Sequence, residues 1–562
     1  MTIYAQHMTA RQTEKARPDQ VQNNAGGFVF QLDIWAQLQR WLVLGSEGGT
    51  FYVAERKLTR DNAQTIAACL ATDGPRTVRA IVEISQAGRA PKNDPAIFAL
   101  AMAAGAEDPA TRKAALDALP LVCRTGTHLF HFAQSVEQFR RWGHGLRRAV
   151  AKWYTDPPVD RVALQAVKYQ QRDGWSHRDL LRLAHPIAKA PGQDALFRWI
   201  VAGGAAGLAA RTLTNAKTGN VREQPDLAVA DLPRIVQGYE LLRGATLADA
   251  PRLIAEYGLP HECVQNEFKH SPGVWAALLP HMGVTALLRN LGKMTSIGLL
   301  APLSAEAGRV AETFADVQRL KQGRVHPLAI LVALKTYAQG HGDKGGLPRG
   351  PRDWKLKVVQ HLSYESWTPV PRIVDALNEA FYLSFDAVEP TGKAHLLALD
   401  VSGSMAHGNV AGMSITPREA TAAMAMVTAR VEKNWHIMGF SSRFIPLDIT
   451  PSMRLDAVVR KMDALPFEST DCGLPMVWAK QHKAQVDAFV VMTDNETYAG
   501  PVHPYQALRD YRQQSGRAAK LIVVGTAATE FAIADPKDGG MLDVVGFSTD
   551  VPAVMADFVR QG

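Results

Sequence analysis

The spacing of hydrophobic residues divides the chain into two unlike parts. From about residue 26 to residue 362, apolar residues recur every three or four positions, as in DIWAQLQRWLVL, TVRAIVEISQAG, DPAIFALAMAAG and SVEQFRRWGHGLRRAVAKWY. This spacing predicts short amphipathic helices separated by Gly, Pro and Asp clusters. Because each helix is too weak to bury its apolar face alone, the succession favours an α-solenoid of HEAT-like helix pairs. An irregular α-helical bundle stays open as the alternative, since no clean repeat is visible.

After about Pro369, apolar strands alternate with amphipathic helices. The strands are predicted at HLLALD, WHIMGF, DAFVVMTD, KLIVVGTA and LDVVGF, and the helices near Thr416, Pro451, Pro475, Pro504 and residues 551–560. This βαβ alternation predicts a doubly wound, mostly parallel sheet with helices on both faces. The helix after HLLALD opens with Thr416-Pro417-Arg418-Glu419, a capping box with proline at the first helical position.

The two patterns predict a multidomain chain. Residues 1–25 are polar and are predicted to be a disordered arm, residues 26–365 a helical-repeat module, and residues 366–562 an α/β domain. The N-terminus lacks the apolar core of a signal peptide, and the most membrane-like stretch, residues 200–210, is too short to span a bilayer. Together with four widely spaced cysteines, which argue against a zinc site or a disulfide scaffold, this predicts a cytoplasmic protein without membrane contact.

The segment LLALDVSGSM, residues 396–405, joins a predicted buried strand to a polar loop. Asp400, Ser402 and Ser404 follow one another at alternate positions, at the carboxyl end of a strand where ligand sites in open α/β sheets collect. Hard oxygen ligands of this kind suit Mg²⁺, or Mn²⁺ as second choice, rather than zinc. The alternative is a turn or N-cap cluster, because Asp and Ser favour both.

Two further loops strengthen the metal interpretation. Thr470 lies in FESTDCGLP and Asp494 in TDNET, both at the predicted carboxyl edge of the same sheet. The combined pattern resembles the metal-ion-dependent adhesion site (MIDAS) of von Willebrand factor A (vWA) domains. Asp471 is compatible either with a helix cap or with an acceptor behind the metal ligands.

Charge is unevenly distributed between the two parts. Residues 366–562 hold 17 Lys and Arg against 22 Asp and Glu, a net charge of −5, so the remainder of a chain that carries +8 overall carries +13. A basic domain beside an acidic one suggests a polyanionic partner for the basic domain.

One basic stretch stands out in the helical part, AVKYQQRDGWSHRDLLRLAH at residues 166–185. On a continuous helix Lys168 and Arg172 would share a face, and a second helix from about Ser176 would carry Arg178, Arg182 and His185. Such a face would bind phosphates, with Tyr169 and Trp175 available for base stacking. The alternative is a solvated charged face whose helix is capped by Ser176 and Asp179.

Two more basic sets lie on predicted helices and do not by themselves exceed ordinary surface charge. They are Arg140, Arg141, Arg147, Arg148 and Lys152 in one set, and Arg289 and Lys293 in the other.

A family resemblance adds to these patterns. The phrases NNAGGFVFQLDIW, WLVLGSEGGTFYV, VCRTGTHLFHF, GWSHRDLLRLAH, LLRNLGKMT, AFYLSFDAVEPTGK and DVSGSM occur in this order and resemble the TROVE-module family of the Ro autoantigen and its bacterial relatives. The resemblance implies a ring of HEAT-like repeats closed by a vWA domain. It also implies small noncoding Y RNAs on the basic outer face and single-stranded 3′ ends of misfolded RNAs in a central hole. Bacterial members would add an exoribonuclease partner such as polynucleotide phosphorylase.

The resemblance also assigns residues. It places Y RNA contacts on Lys168, Arg172 and His185, and metal ligands on Asp400, Ser402, Ser404, Thr470 and Asp494. With this resemblance, further RNA contacts are predicted at Tyr169, Arg182, Arg147, Arg148, Arg289 and Lys293. Gln170 departs from the family, which often carries a base there.

Three functions are compatible with parts of this pattern. The leading hypothesis is a monomeric, non-enzymatic scaffold that binds Y RNA and structured or misfolded RNA for RNA quality control. The second is a metal-dependent adaptor whose vWA domain captures an acidic residue of a partner protein. A metal-dependent nuclease is disfavoured, because the motif offers too few carboxylates for a two-metal site and only His407 lies near as a base.

Overall fold

The computed structural model describes residues 10–45, 63–190, 192–214, 221–342, 366–385, 388–407, 409–410, 413–465 and 469–561. In the first part of the chain these residues form helices, which we number in chain order: α1 Ile34–Leu44, α2 Gln64–Ala87, α3 Asp94–Ala104, α4 Pro109–Asp117, α5 Leu119–Val122, α6 Gly126–Val136, α7 His144–Thr155, α8 Val159–Lys168, α9 His177–Ala184, α10 Gln193–Ala202, α11 Arg234–Arg243, α12 Ala250–Tyr257, α13 Pro272–Leu278, α14 Val284–Ser296, α15 Ala305–Ala315, α16 Val317–Gln322, α17 Pro327–Gln339 and α18 Pro371–Leu383.

The helices pack on partners one to three helices away along the chain, as expected for a solenoid. Contacts join α1 to α2, α2 to α3, α11 to α12 and α12 to α13, and each helix turns its apolar stripe inward. In α6, for example, Leu129, Phe130, Phe132 and Val136 are buried, which follows from their three- and four-residue spacing. The predicted helical architecture is therefore confirmed. Within the described residues, no helix is both long and apolar enough to cross a bilayer.

Two β-hairpins interrupt the helical module, and neither was predicted. Strands β3 Gln171–Arg172 and β4 Trp175–Ser176 form one, and β5 Arg211–Thr214 and β6 Val221–Gln224 form the other. The first turns at Asp173 and Gly174, which have φ of 53° and 80°. An Asp-Gly pair favours this left-handed backbone and so closes a two-residue hairpin.

This hairpin corrects the prediction that Lys168 and Arg172 share a helix face. Helix α8 ends at Lys168 with Tyr169 as its C-cap, and Arg172 lies on β3. The predicted second helix is present: α9 begins after Ser176, whose side chain and that of Asp179 form the expected capping box.

The C-terminal part is an α/β domain built on a six-stranded sheet, in the order β13-β11-β10-β7-β8-β9. The strands are β7 Ala394–Asp400, β8 Asn434–Phe440, β9 Phe444–Pro446, β10 Ala488–Thr493, β11 Lys520–Gly525 and β13 Met541–Val545, and all neighbours are parallel except β8 and β9. The helices are α19 Pro417–Val431, α20 Leu455–Asp463, α21 Leu474–Gln481, α22 Pro504–Ser515 and α23 Val551–Arg560.

Most of the predicted C-terminal elements are confirmed. The capping box of Thr416 and Glu419 opens α19 as expected. The helix expected near Pro451 begins instead at Leu455, because residues 451–453 form a turn. Helix α18 follows the predicted boundary at residue 366 but packs against α15 and α17, so the helical packing continues past that boundary.

The prediction of a disordered arm over residues 1–25 is wrong for the residues that the structure describes, from Ala10 onward. Strands β1 Gln20–Gln22 and β2 Phe28–Gln31 form a hairpin that continues into β12 Phe531–Ala532 of the C-terminal domain. The Arg17 guanidinium also pairs with Asp535. The arm is polar because its partners are polar groups of that domain, and its first nine residues lie outside the described chain.

Both ends of the helical module contact the C-terminal domain. Arg40 of α1 binds Asp543 of β13 at 2.5 Å, and Arg89 beyond α2 lies 3.4 Å from Asp550. At the other end, Lys335 of α17 binds Glu419 of α19 at 2.9 Å. The chain therefore closes on itself through the α/β domain.

Candidate metal centre and nucleic-acid interface

Parallel pairing brings the predicted metal ligands to one edge of the sheet. Asp400 is the last residue of β7, and Asp494 directly follows β10. The two strands are neighbours, with Leu399 paired to Met492. Thr470 lies in the loop before α21, and its carbonyl accepts hydrogen bonds from the amides of Tyr498 and Ala499 in the loop that follows Asp494.

All five predicted ligands are buried, and contacts link Asp400, Ser402, Ser404 and Asp494. The exposed fraction of each side chain is 7% or less, and Asp400 is fully buried. One Asp400 oxygen accepts from the Ser402 amide at 2.9 Å and the other from the Thr493 hydroxyl at 2.7 Å. The hydroxyl oxygens of Ser402 and Ser404 are 3.0 Å apart.

The electrostatics of this centre suit a cation. Burial raises the pKa of Asp400 to about 7, the negative charge of Asp494 adds to this, and hydrogen bonds from Ser402 and Thr493 oppose it. Burial also raises the pKa of Asp494, against a hydrogen bond from Ser404. Two buried carboxylates that repel each other are stabilised when a divalent ion lies between them.

The donor set points to a hard ion. Among the described residues, no group of three or more His, Cys, Asp or Glu side chains is arranged to hold a metal, so this centre would rely on hydroxyl oxygens beside its two carboxylates. The buried Arg418 guanidinium donates to the carbonyls of Val401 and Ser402 in the same loop. The residues therefore fit Mg²⁺ or Mn²⁺ better than zinc.

Sequence reasoning missed the residues that hold the loop after Asp494. From the N-terminal arm, the Asn23 amide donates to the carbonyls of Asn495 and Thr497 at 3.2 and 2.8 Å. Asn24 donates to the buried Glu496 carboxylate at 2.6 Å. These partners are more than 470 positions apart in the chain, so no local pattern could have indicated them.

The N-terminal arm also contacts the Asp471 side chain. Its carboxylate accepts from the Gly473 amide at 2.8 Å and from the Gln12 side chain at 2.7 Å. Asp471 therefore caps the approach to α21 and anchors the arm.

We expect Gly27→Ala to destabilise the protein, because the arm approaches the loop after Asp494 most closely at this residue. A Cβ at Gly27 would lie 1.9 Å from the Thr497 carbonyl oxygen, and backbone cannot yield as a flexible side chain can. Overpacking of this kind costs roughly 1–3 kcal/mol, which thermal unfolding would detect. Gly539→Ala is the control, since its Cβ would meet open space; an equal shift in both variants would contradict the close approach.

The predicted RNA contacts cluster on α8, the β3–β4 hairpin and α9. Lys168 is half-buried, with its ammonium 3.8 Å from Glu262 and 5.3 Å from the centre of the Tyr169 ring. The side chain of Arg172 is 63% exposed, and its only nearby acid among the described residues is Asp173 at 3.8 Å.

The second half of this cluster is also exposed. Arg182 lies in the last turn of α9, and His185 is the C-cap of that helix with φ of 47°. The capping box of Ser176 and Asp179 and the exposed cations of α9 are both present. A capped, solvated helix and a phosphate-binding face are therefore compatible with each other.

The aromatic residues of this region are mostly structural. Tyr169 and Trp175 are half-buried against the helical core, and Trp175 lies 5.6 Å from Trp142. Gln170, where the family often has a base, donates to the hydroxyl of Tyr239 at 2.8 Å. It therefore ties the hairpin to α11.

A buried histidine supports the hairpin from beneath. His177 shares a hydrogen bond of 2.7 Å with the Tyr154 hydroxyl and lies 3.2 Å from the Gln165 carbonyl oxygen. Burial lowers the pKa of His177 to about 4, so this support is neutral near pH 7.

The remaining predicted contacts lie elsewhere on the module. Arg147 and Arg148 are exposed on α7, which packs against α9. Arg289 is exposed and Lys293 half-buried on α14, which packs against α17.

Two family models match different parts of the chain. A family model described as the TROVE domain matches residues 21–222 and 262–347, and one described as the Ro60 vWA domain matches residues 394–559. The RNA-binding protein RO60 of Deinococcus radiodurans is 43% identical over 555 residues, covering 98% of this chain and 97% of the relative. That of Caenorhabditis elegans is 34% identical over 609 residues, covering 98% and 91%. The crystal structure of the D. radiodurans RO (RSR) protein matches with a TM-score of 0.68 at 42% identity, covering 94% of this chain and 99% of that one.

Proposed function

The chain belongs to the TROVE-domain family of RO60 proteins, and we propose that it binds RNA on the exposed cationic surface of α8, the β3–β4 hairpin and α9. Small noncoding Y RNAs are the proposed ligands, contacted by Lys168, Arg172, Arg182 and His185. The observation that carries this proposal is that exposed or half-buried cations lie on consecutive parts of the chain, namely the end of α8, the β3–β4 hairpin and α9. A cationic surface of this kind attracts the phosphate backbone.

The role in RNA quality control rests on the closed arrangement of the chain. Because the helical module contacts the α/β domain at both ends, we propose that it encloses a hole for single-stranded 3′ ends of misfolded or structured RNA. An exoribonuclease such as polynucleotide phosphorylase is the proposed protein partner, with this protein acting as a monomeric scaffold without catalysis.

We expect the double charge reversal Lys168→Glu/Arg172→Glu to weaken Y RNA binding about 10- to 100-fold, or roughly 1.4–2.7 kcal/mol. Each lost phosphate contact should also reduce the slope of log affinity against log salt by about 0.7–0.9. The measurement is a filter-binding or fluorescence-anisotropy titration over a range of salt concentrations.

The matched control is Lys433→Glu/Lys483→Glu, which changes net charge equally at two exposed lysines of the α/β domain. Unchanged affinity in the hairpin variant, with its melting temperature intact, would refute the proposed surface. An equal loss in the control would show that only net charge matters.

For the metal centre we propose bound Mg²⁺ held by Asp400, Ser402, Ser404, Thr470 and Asp494. Because all five are buried, an ion that fastens three loops is better supported than the alternative in which it captures an acidic residue of a partner protein. The ion would supply positive charge between the two carboxylates, while the serine and threonine hydroxyls complete its oxygen shell.

A further inference from the structure

A second cationic feature lies apart from the hairpin, in a groove between α4 and α7. The groove encloses about 580 Å³, and its floor is formed by Leu116, Ala149 and Trp153. Its rim carries the basic side chains Arg112, Lys113, Arg140, Arg148 and Lys152. None of these rim residues belongs to the proposed Y RNA surface, although the sequence predicts Arg148 as an RNA contact.

The acids that line the groove are already neutralised. Asp117 pairs with Lys113 at 2.7 Å, and Asp156 pairs with Lys189 at 2.8 Å. Among the residues that the structure describes, Arg112, Arg140, Arg148 and Lys152 have no ion pair within 4.0 Å. The groove therefore carries an excess of positive charge.

Arg140 lies in this positively charged groove with incomplete hydrogen bonding of its guanidinium. Its Nη1 donates to the Ala104 carbonyl at 2.7 Å, but its Nε is buried and has no hydrogen-bond partner in the described part of the chain. Burial and the neighbouring charge of Arg112 both lower the pKa of Arg140. Two guanidinium groups held together without an acid are stabilised by a bound anion.

We infer that this groove binds the sugar-phosphate backbone of an RNA strand that extends from the hairpin surface. Several spread cations over an apolar floor match successive phosphates better than one isolated anion, and guanidinium forks bind phosphate oxygens in pairs. The inference rests on the proposed RNA-binding function but assigns a different surface to it.

The two surfaces are physically adjacent. Trp142, just before α7, contacts Trp175 of β4, with ring centres 5.6 Å apart. Helix α7 also packs against α9. A strand leaving Arg172 can therefore continue along α7 toward Arg148 and Lys152, which lie one helical turn apart on the same face.

Two exposed helical arginines provide a matched test. Arg79 on α2 and Arg148 on α7 are both exposed, but only Arg148 lines the groove. We compare Arg148→Glu with Arg79→Glu in the full-length chain, using fluorescein-labelled oligouridylate of 20 nucleotides as the probe and titrating over a salt series. Arg148→Glu should bind about tenfold more weakly, with a salt slope reduced by about 0.7, while Arg79→Glu stays within about twofold of the parent protein.

The outcomes separate this inference from the proposed function. If Lys168→Glu/Arg172→Glu loses binding while Arg148→Glu does not, the groove is refuted and the hairpin surface stands. If only Arg148→Glu loses binding, the groove stands and the hairpin proposal fails. Equal losses in Arg79→Glu and Arg148→Glu would overturn the groove, as would competition by polyglutamate at the same charge concentration as RNA. Unchanged melting temperatures confirm that both variants fold, as expected for exposed side chains.

Discussion

Arg40→Met is expected to lower the free energy of unfolding by about 3–5 kcal/mol, the usual cost of removing one partner from a buried ion pair. The Arg40 guanidinium is almost fully buried and binds Asp543 at 2.5 Å, the Thr529 hydroxyl at 2.9 Å and the Ala527 carbonyl at 3.2 Å. It thereby connects α1 to the edge strand β13. Without it, the Asp543 carboxylate stays in the interface with no cation.

The free energy of unfolding of Arg40→Met should depend on pH in a defined direction. Burial already raises the pKa of Asp543, and only the charge and hydrogen bond of Arg40 oppose that effect. Loss of Arg40 raises the pKa further, so the folded state then binds a proton at a pH where the unfolded chain does not. Stability of Arg40→Met should therefore recover as pH falls through the folded-state pKa toward the unfolded value near 4.

Urea unfolding followed by tryptophan fluorescence measures this effect, because the neighbouring Trp41 is buried and changes environment on unfolding. The control is Arg40→Met/Asp543→Leu, which removes both charges and should restore most of the lost stability. A double variant as unstable as Arg40→Met would show that packing of the arginine stem, and not the uncompensated carboxylate, causes the loss.

How far the fold follows from sequence depends on the distance between interacting residues. The strands β7, β10 and β11 are buried on both faces and form continuous apolar runs in the sequence, so their presence in a parallel sheet and the location of Asp400 and Asp494 at one edge of it were predictable. The metal loop and its neighbours are organised by these local patterns.

Two errors came from elements whose stability is not local. The β3–β4 hairpin has strands of two residues each, too short for an alternating pattern, and its only local signal is the Asp-Gly turn at residues 173–174. The N-terminal arm is polar and resembles a disordered segment, yet Asn23 and Gln12 find their partners in the α/β domain. Long-range polar pairing leaves no hydrophobic periodicity to detect.

In the candidate metal centre, the proposed ligands and the residues that hold the ligand loops come from different parts of the chain. The ligands lie at strand ends within one domain, whereas the loop after Asp494 is held by an arm at the other end of the chain. The proposed RNA-binding surface has the same character, since Asp173 in the turn beside Arg172 pairs with His131 of α6.

Mg²⁺ is expected to stabilise the parent protein and to have no effect on Asp400→Asn. Asp400 and Asp494 are buried at adjacent strand ends and repel each other, so an ion between them removes an unfavourable interaction that exists only in the folded state. Binding to the folded state alone adds about 2.7 kcal/mol when free Mg²⁺ is 100 times its dissociation constant. Isothermal titration calorimetry and thermal unfolding with and without Mg²⁺, in the presence of excess chelator for the metal-free state, measure the two sides of this linkage.

In the presence of chelator, the difference in melting temperature between Asp400→Asn and the parent protein should have the opposite sign. Asp400→Asn removes one of the two repelling carboxylates, so without metal it should melt at or above the parent temperature, and the order should reverse when Mg²⁺ is added. Asp448→Asn is the matched control, because Asp448 is an exposed carboxylate of the same domain and its loss should leave the Mg²⁺ response intact. If the melting temperature of the parent protein does not change when Mg²⁺ is added, the proposed metal centre is refuted. An Mg²⁺ response retained in Asp400→Asn would place the ion elsewhere, and the buried pair would then be a structural carboxylate pair sharing a proton.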